Sequence, residues 1–169
     1  MVRLLHLRSL ASLALQLAIL GALIAAFFVR TPQVSGLSME PRIDSGEHVL
    51  INTLAYRFGE PHRGDIVAFK HDGDTPETYI KRVIGVPGDR IGIYRGIVYL
   101  NGIRLSEPYV RFADSRTFGT IAIPPRAVYV LGDNRANSED SRFFGAVPDD
   151  HLMGRALVAI WPIGSAGAL

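Results

Sequence analysis

Residues 98–105, with the sequence VYLNGIRL, decide the fold class of this chain. Asn101 and Gly102 stand between two short apolar segments, and both residue types tolerate the positive φ angles of a type I′ turn. The segment therefore predicts a two-residue β-hairpin, which joins antiparallel strands.

The same β pattern extends over residues 31–169, where short runs rich in Val, Ile and Tyr alternate with Gly, Pro and Asp. The 169 residues include 17 Gly and 10 Pro, which favours a loop-rich β protein over a helical bundle. We expect a mainly β, antiparallel domain over residues 31–169. Its predicted strands cover residues 48–52, 65–70, 79–86, 90–94, 98–100, 103–105, 127–131 and 156–160.

Composition excludes several functional classes. The chain has no Cys, which rules out disulfides, Cys-ligated zinc, iron–sulfur clusters and a thiol nucleophile. A net charge of +2 is too small to indicate nucleic-acid binding. The five histidines form no metal-binding motif, so we expect no metal site.

The N-terminal segment differs from the β region in composition, because residues 9–29 carry no charged side chain. As a helix they would extend about 32 Å, close to the hydrocarbon thickness of a bilayer. A cleaved secretory signal would have a shorter apolar core, and a buried core helix would show a polar face. We therefore predict two parts: residues 1–30 as a cytoplasmic N-terminus with a single transmembrane anchor, and residues 31–169 as the β domain. Arg3 and Arg8 before the span favour a cytoplasmic N-terminus and an extracytoplasmic β domain.

Ser38 is the first candidate for a catalytic residue. It lies in residues 34–41 (VSGLSMEP), where Gly36 and Pro41 indicate a sharply turned backbone. Such a turn can expose the Ser38 hydroxyl and direct the Ser38 amide toward a substrate carbonyl. The alternative is a surface turn in which the serine bonds its own backbone.

Lys81 and Arg82 interrupt an otherwise apolar predicted strand, residues 79–89 (YIKRVIGVPGD). Neighbouring side chains on a strand point to opposite faces. If Arg82 faces solvent or a carboxylate, Lys81 points inward, and burial lowers the pKa of a lysine amine. A neutral amine can act as a general base on a serine. The alternative is two edge-strand cations whose stems lie along the surface.

A third stretch, residues 132–142 (GDNRANSEDSR), follows an apolar strand and is dense in short polar side chains. It suits a hydrogen-bonded loop that fixes neighbouring groups, and its alternative is an ordinary solvated loop.

Together and in this order, these stretches resemble the bacterial type I signal peptidases, which are membrane-bound Ser/Lys proteases. The resemblance covers nearly the whole chain, including residues 36–41, 63–67 (RGDIV), 81–89 and 132–142. It implies a serine endopeptidase with a barrel-like antiparallel β domain and one anchor in the bacterial cytoplasmic membrane. It also implies that signal peptides of exported preproteins are the partners, beside membrane lipid, with no nucleic acid. The mechanism of the family needs no metal and no organic cofactor. We expect a monomer.

The resemblance also implies roles for individual residues: Ser38 matches the nucleophile and Lys81 the general base. The supporting residues are a serine that positions the lysine amine and two ion pairs: Ser138, Asp140 with Arg142, and Asp133 with Arg82. The candidates for the substrate pockets are Val34, Ser35, Met39, Ile43, Tyr79 and Ile80.

The sequence departs from the family pattern near the nucleophile. The Ser38 amide is one expected oxyanion donor, but Gly36 stands where some members have a serine whose hydroxyl completes the oxyanion hole. Pro41 is followed by Arg42 and Ile43, where the family often has Thr and Leu. The second oxyanion donor therefore stays open.

Three other functions remain open from the sequence. A specialised relative, such as a conjugative pilin-processing peptidase, would share Ser38 and Lys81 but cut one substrate. Self-cleaving repressor-type proteases also use a serine with a lysine, but the apolar N-terminal segment and residues 132–142 argue against them. A catalytically silent, anchored β module would bind secretory precursors without cutting them.

Overall fold

The computed structural model describes residues 2–71, 78–161 and 167–168. A long helix, α1, spans Val2–Phe28, and short helices α2 and α3 span Ala55–Phe58 and Ser141–Phe144. The remaining regular structure is β. The strands are β1 (Val29–Arg30), β2 (His48–Asn52), β3 (Ile66–Lys70), β4 (Thr78–Gly85), β5 (Arg90–Tyr94), β6 (Ile97–Leu100), β7 (Ile103–Arg104), β8 (Phe118–Ala122), β9 (Ala127–Leu131), β10 (Val147–Pro148), β11 (Leu152–Trp161) and β12 (Gly167–Ala168).

The larger sheet has the strand order β1-β2-β11-β3-β4-β9-β10, with β12 paired to β11. Its neighbouring strands are antiparallel. The prediction of a mainly β, antiparallel domain is confirmed. β4, which carries Lys81 and Arg82, lies inside this sheet between β3 and β9.

A smaller sheet has the order β7-β6-β5-β8. The predicted hairpin joins β6 and β7, with Tyr99 opposite Arg104. Asn101 and Gly102 have φ angles of 53° and 83°, which confirms the positive φ that the sequence predicts for both turn residues.

Some strands were not predicted, and one was predicted too short. β8 was missed because Gly119 and Thr120 interrupt its apolar pattern, yet it pairs with β5 through Ile91 and Ile121. β10 was missed because it is short and contains Pro148. The predicted strand at residues 156–160 is the second half of the longer β11.

One apolar cluster packs the larger sheet against the chain between β1 and β2. Met39 and Ile43 from this connection are almost fully buried beside Val49, Ile66 and Ala68. Because the cluster holds the connection against the sheet, it fixes the position of the backbone around residue 38.

The N-terminal helix ends at Phe28, and Val29 and Arg30 pair with β2 instead of continuing it. Within the described part of the chain, no helix has both the length and the apolar composition of a membrane span. The predicted anchor over residues 9–29 is therefore not confirmed here and stays a prediction.

Candidate active site

Ser38 lies in the connection between β1 and β2, residues 31–47. Met39 and Ile43 are 1% and 0% exposed and anchor this connection in the core. The Ile43 N–H donates to the Met39 carbonyl at 3.0 Å, which closes a turn directly after Ser38. Ser38 therefore has a buried anchor on its C-terminal side while its own side chain faces a groove.

Lys81 meets this serine from β4. Its Nζ donates to Ser38 Oγ at 2.8 Å and to the Ile80 carbonyl at 3.2 Å. The Lys81 residue is only 4% exposed. Burial lowers the pKa of its amine to about 8, against the opposing effect of the negative charges of Asp140 and Glu139. An amine with such a pKa is partly neutral near physiological pH.

Arg82 points to the opposite face of β4, as the alternation along a strand predicts. Its Nε and Nη2 donate to the two carboxylate oxygens of Asp133 at 2.8 and 2.7 Å. Its Nη1 donates to the Gly64 carbonyl at 3.0 Å. Both side chains of this ion pair are buried. The structure thus brings the predicted partners Arg82 and Asp133 together, on the face of β4 away from Ser38.

Residues 132–142, named here the polar loop, are organised around Asp140, which is fully buried. Its carboxylate accepts hydrogen bonds from Ser138 Oγ at 2.6 Å and from the Gly132 N–H at 3.0 Å. Arg142 Nε donates to the same carboxylate at 2.7 Å. The predicted pair of Asp140 and Arg142 is therefore present, and Asp140 ties both ends of the polar loop together.

Gly132 brings the polar loop against the serine, and sequence reasoning missed its importance. A Cβ atom at residue 132 would lie 2.3 Å from Ser138 Oγ and 2.5 Å from the Ser38 carbonyl oxygen, so only glycine fits. The Asn134 N–H donates to the Ser38 carbonyl at 2.9 Å. Ser138 thus lies near Ser38, but its hydrogen goes to Asp140, and no Ser138–Lys81 hydrogen bond is found among the described residues. The sequence feature that could have indicated this role of Gly132 is a glycine directly after a buried strand.

A groove of about 450 Å³ runs beside Ser38. Five of the six predicted pocket residues line it: Val34, Ser35, Met39, Tyr79 and Ile80. The sixth, Ile43, is fully buried beneath the groove and does not line it. Lining residues that the sequence analysis did not name are Pro32, Gln33, Leu37, Thr78, Asn137 and Glu139.

The amides of Ser38, the expected oxyanion donor, and of Gly36, the candidate for the second donor, differ in this structure. The Gly36 N–H donates to Ser45 Oγ at 3.3 Å and is already engaged. Among the hydrogen bonds of the described residues, the Ser38 N–H has no acceptor. The Ser38 amide is therefore the donor of this pair that is available to a ligand.

A serine hydroxyl within hydrogen-bond distance of a partly neutral amine is chemically competent for nucleophilic attack on a carbonyl. The amine removes the proton from the hydroxyl oxygen, and an adjacent free N–H can stabilise the negative charge that develops. This is the chemistry of an acyl-transfer hydrolase.

Comparisons with known proteins agree with this class. The family model described as "Signal peptidase, peptidase S26" matches residues 7–161. A probable signal peptidase I-2 from Synechocystis sp. is 36% identical over 156 residues, which cover 89% of this chain and 72% of that protein. Signal peptidase I from Bacillus caldolyticus is 38% identical over 143 residues, which cover 76% of this chain and 78% of that protein. On the family model and these relatives, the chain belongs to the signal peptidase family, peptidase S26.

A solved structure is also similar. The crystal structure of a signal peptidase I from Enterococcus faecalis is 32% identical in sequence, with a TM-score of 0.49. The match covers 57% of this chain and 96% of that one. Family membership, which rests on the family model and the sequence relatives, confirms both the resemblance found in the sequence and the predicted enzyme class, a peptidase.

Proposed function

We propose that this chain is a signal peptidase I that cuts signal peptides from exported preproteins, with Ser38 as nucleophile and Lys81 as general base. The observation that carries the proposal is the 2.8 Å hydrogen bond between Lys81 Nζ and Ser38 Oγ, with the amine buried. The names of the relatives support the substrate class.

The proposed reaction begins when neutral Lys81 takes the proton of the Ser38 hydroxyl. Oγ attacks the carbonyl carbon before the scissile bond, and the Ser38 N–H stabilises the oxyanion. The Lys81 ammonium then gives its proton to the leaving amine, and an acyl-enzyme forms. Water attacks this ester with Lys81 again as base, which releases the signal peptide and regenerates Ser38.

The first half of β4 supports the binding of an extended substrate. Residues 78–81 pair with β3, whereas the pairing with β9 begins only at Arg82. Residues 78–81 line the groove on the side of β4 away from β3. A substrate segment can add there as a strand, with alternate side chains entering the groove. Val34 and Ile80 offer apolar walls for the small side chains at the −1 and −3 positions.

We further propose that α1 anchors the chain in the membrane, with residues 1–30 as cytoplasmic end and anchor and residues 31–169 as the extracytoplasmic domain. Apolar side chains along its middle are 51–65% exposed. Exposed apolar surface on this scale favours a lipid environment. The groove begins at Pro32, two residues after β1, so a substrate held in the same bilayer would be presented near Ser38.

The proposal is tested with protein purified in detergent and several unrelated preproteins. The Ser38→Ala and Lys81→Met variants are expected to leave every preprotein uncut. Lys70 is exposed at the end of β3, so Lys70→Met is the matched control and should cleave like the unchanged protein. Cleavage by Ser38→Ala would contradict the proposed nucleophile. Cleavage of a single substrate would indicate the specialised relative, and no cleavage at all would indicate a silent binding module.

A further inference from the structure

One irregular stretch outside the groove contacts three arginines whose side chains are buried next to the site. It is the connection between β7 and β8, residues 105–117, named here the bracing segment. The three arginines are Arg82 on β4 and Arg135 and Arg142 on the polar loop. Each receives one contact from a different side chain of the bracing segment.

The first contact is between Glu107 and Arg135. Arg135 Nη2 and Nη1 donate to the two Glu107 carboxylate oxygens at 2.5 and 3.2 Å, and these side chains are only 4% and 10% exposed. Arg135 Nε also donates to the Gly132 carbonyl at 2.9 Å. Because Gly132 lies directly against Ser38 and Ser138, only Arg135 and Gly132 stand between Glu107 and the reactive serine.

The second contact is made by Tyr109. Its ring lies over the Arg82 guanidinium, with 4.3 Å from the ring centre to Cζ, and its hydroxyl donates to Glu107 at 3.0 Å. Arg82 is the chain neighbour of Lys81 and is held on its other side by Asp133. Tyr109 therefore closes the face of β4 opposite the lysine amine.

The third contact is between Asp114 and Arg142. Arg142 Nη1 donates to Asp114 at 2.5 Å, while its Nε holds Asp140. A backbone hydrogen bond also joins the two segments, since the Ala136 N–H donates to the Phe112 carbonyl at 3.2 Å. The bracing segment thus holds the middle and the end of the polar loop.

Charge explains why these contacts are needed. The three arginines face only two aspartates within β4 and the polar loop, Asp133 and Asp140. A buried cation without a partner is strongly destabilising. Asp133 pairs with Arg82 and Asp140 with Arg142, so Arg135 is the arginine that needs a carboxylate. Glu107 supplies it, and Asp114 adds a second carboxylate to Arg142. No described residue of the bracing segment lines the groove, so its effect on a substrate passes through other residues.

We infer that Glu107, Tyr109 and Asp114 are positioning residues, which hold the polar loop so that Gly132 and Ser138 stay against the Ser38–Lys81 pair. The inference rests on the proposed function, since positioning matters only if that pair is catalytic. If the polar loop is released, water reaches Lys81, and the loss of desolvation raises the pKa of its amine. The negative charges of Asp140 and Glu139 move away at the same time, which acts to lower this pKa, but desolvation is the larger effect.

The test compares Glu107→Gln, which keeps the shape but loses the charge, with Glu60→Gln, an exposed glutamate outside the site. Preprotein cleavage is measured as kcat and KM over a range of pH. For Glu107→Gln we expect kcat to fall by about 10- to 100-fold with KM unchanged, since displaced catalytic groups slow the chemical step. The acid limb of the pH profile moves to higher pH, and Glu107→Asp restores part of the rate. Glu60→Gln behaves like the unchanged protein.

A purely structural role would lower thermal stability and the active fraction without moving the acid limb. The inference is overturned if Glu107→Gln has a normal kcat, or if the acid limb of its pH profile stays at the original pH. If Glu107→Gln does not fold, Tyr109→Phe removes the bond to Glu107 while keeping the ring on Arg82, and a limb at its original pH would again overturn it. Failure of the proposed function looks different, because the unchanged protein would then either leave preproteins uncut or cleave them without depending on Ser38.

Discussion

The two faces of β4 place two neighbouring cations, Lys81 and Arg82, in different surroundings, which shift the pKa values of the two side chains in opposite directions. On one face Lys81 is buried with a serine hydroxyl and a backbone carbonyl as its hydrogen-bond acceptors. On the other face Arg82 is buried with a carboxylate on two of its nitrogens. Burial lowers the pKa of Lys81 to about 8. For Arg82 burial also acts to lower the pKa, but the hydrogen bonds and charge of Asp133 raise it overall.

This difference teaches that residue type and hydrogen-bonded partner together decide whether a buried cation stays charged. An arginine keeps its proton in proteins, whereas a buried lysine with no carboxylate hydrogen-bonded to it can lose its proton. Arg82 stabilises the sheet as a permanent ion, while Lys81 is left able to lose its proton. Two adjacent residues on one strand therefore perform a structural and a chemical task, because the strand places them on opposite faces.

The largest expected effect comes from making the two faces alike. Lys81→Arg places a permanently charged guanidinium beside Ser38, and arginine does not lose its proton in proteins. We expect kcat/KM for preprotein cleavage to fall by about 10⁴-fold, the upper range for loss of a general base. Arg82→Lys, which retains a positive charge on the other face, is the informative partner variant and should lose far less activity. Comparable activity in Lys81→Arg and the unchanged protein would refute the difference between the faces.

A smaller effect is expected from removing the charge on the structural face. Arg82→Met leaves Asp133 buried without its partner, and we expect the free energy of unfolding to fall by about 4 kcal/mol. Chemical denaturation at neutral pH measures it. Combining Arg82→Met with Asp133→Leu removes both charges and should recover much of the loss. A double variant as unstable as the single one would show that the uncompensated charge is not the cause.

Much of the fold could be predicted from local sequence. Asn101 and Gly102 fixed the hairpin, and the apolar run around Lys81 predicted β4 to within one residue at each end. β8 could not be found in the same way, because residues 118–122 become a strand only by pairing with an edge that β5 offers. Val29 and Arg30 likewise joined β2 through a partner distant in sequence.

The site was predictable in part. The family resemblance named Ser38 and Lys81, and alternation along a strand separated Lys81 from Arg82. Contacts between distant segments carry no local signal, such as the Asn134 N–H on the Ser38 carbonyl. The same holds for Glu107, which looks like any loop glutamate until the fold brings Arg135 to it.

The titration of Lys81 tests the central claim most directly. The sequence has two lysines, Lys70 and Lys81, so Lys70→Arg leaves Lys81 as the single ε-amine. With isotope-labelled lysine, nuclear magnetic resonance can then follow this one amine as the pH is raised. We predict a pKa of about 8, with preprotein cleavage rising through the same pH range as the amine becomes neutral. A pKa near the ordinary lysine value of about 10.4, with cleavage already complete at neutral pH, would contradict the account.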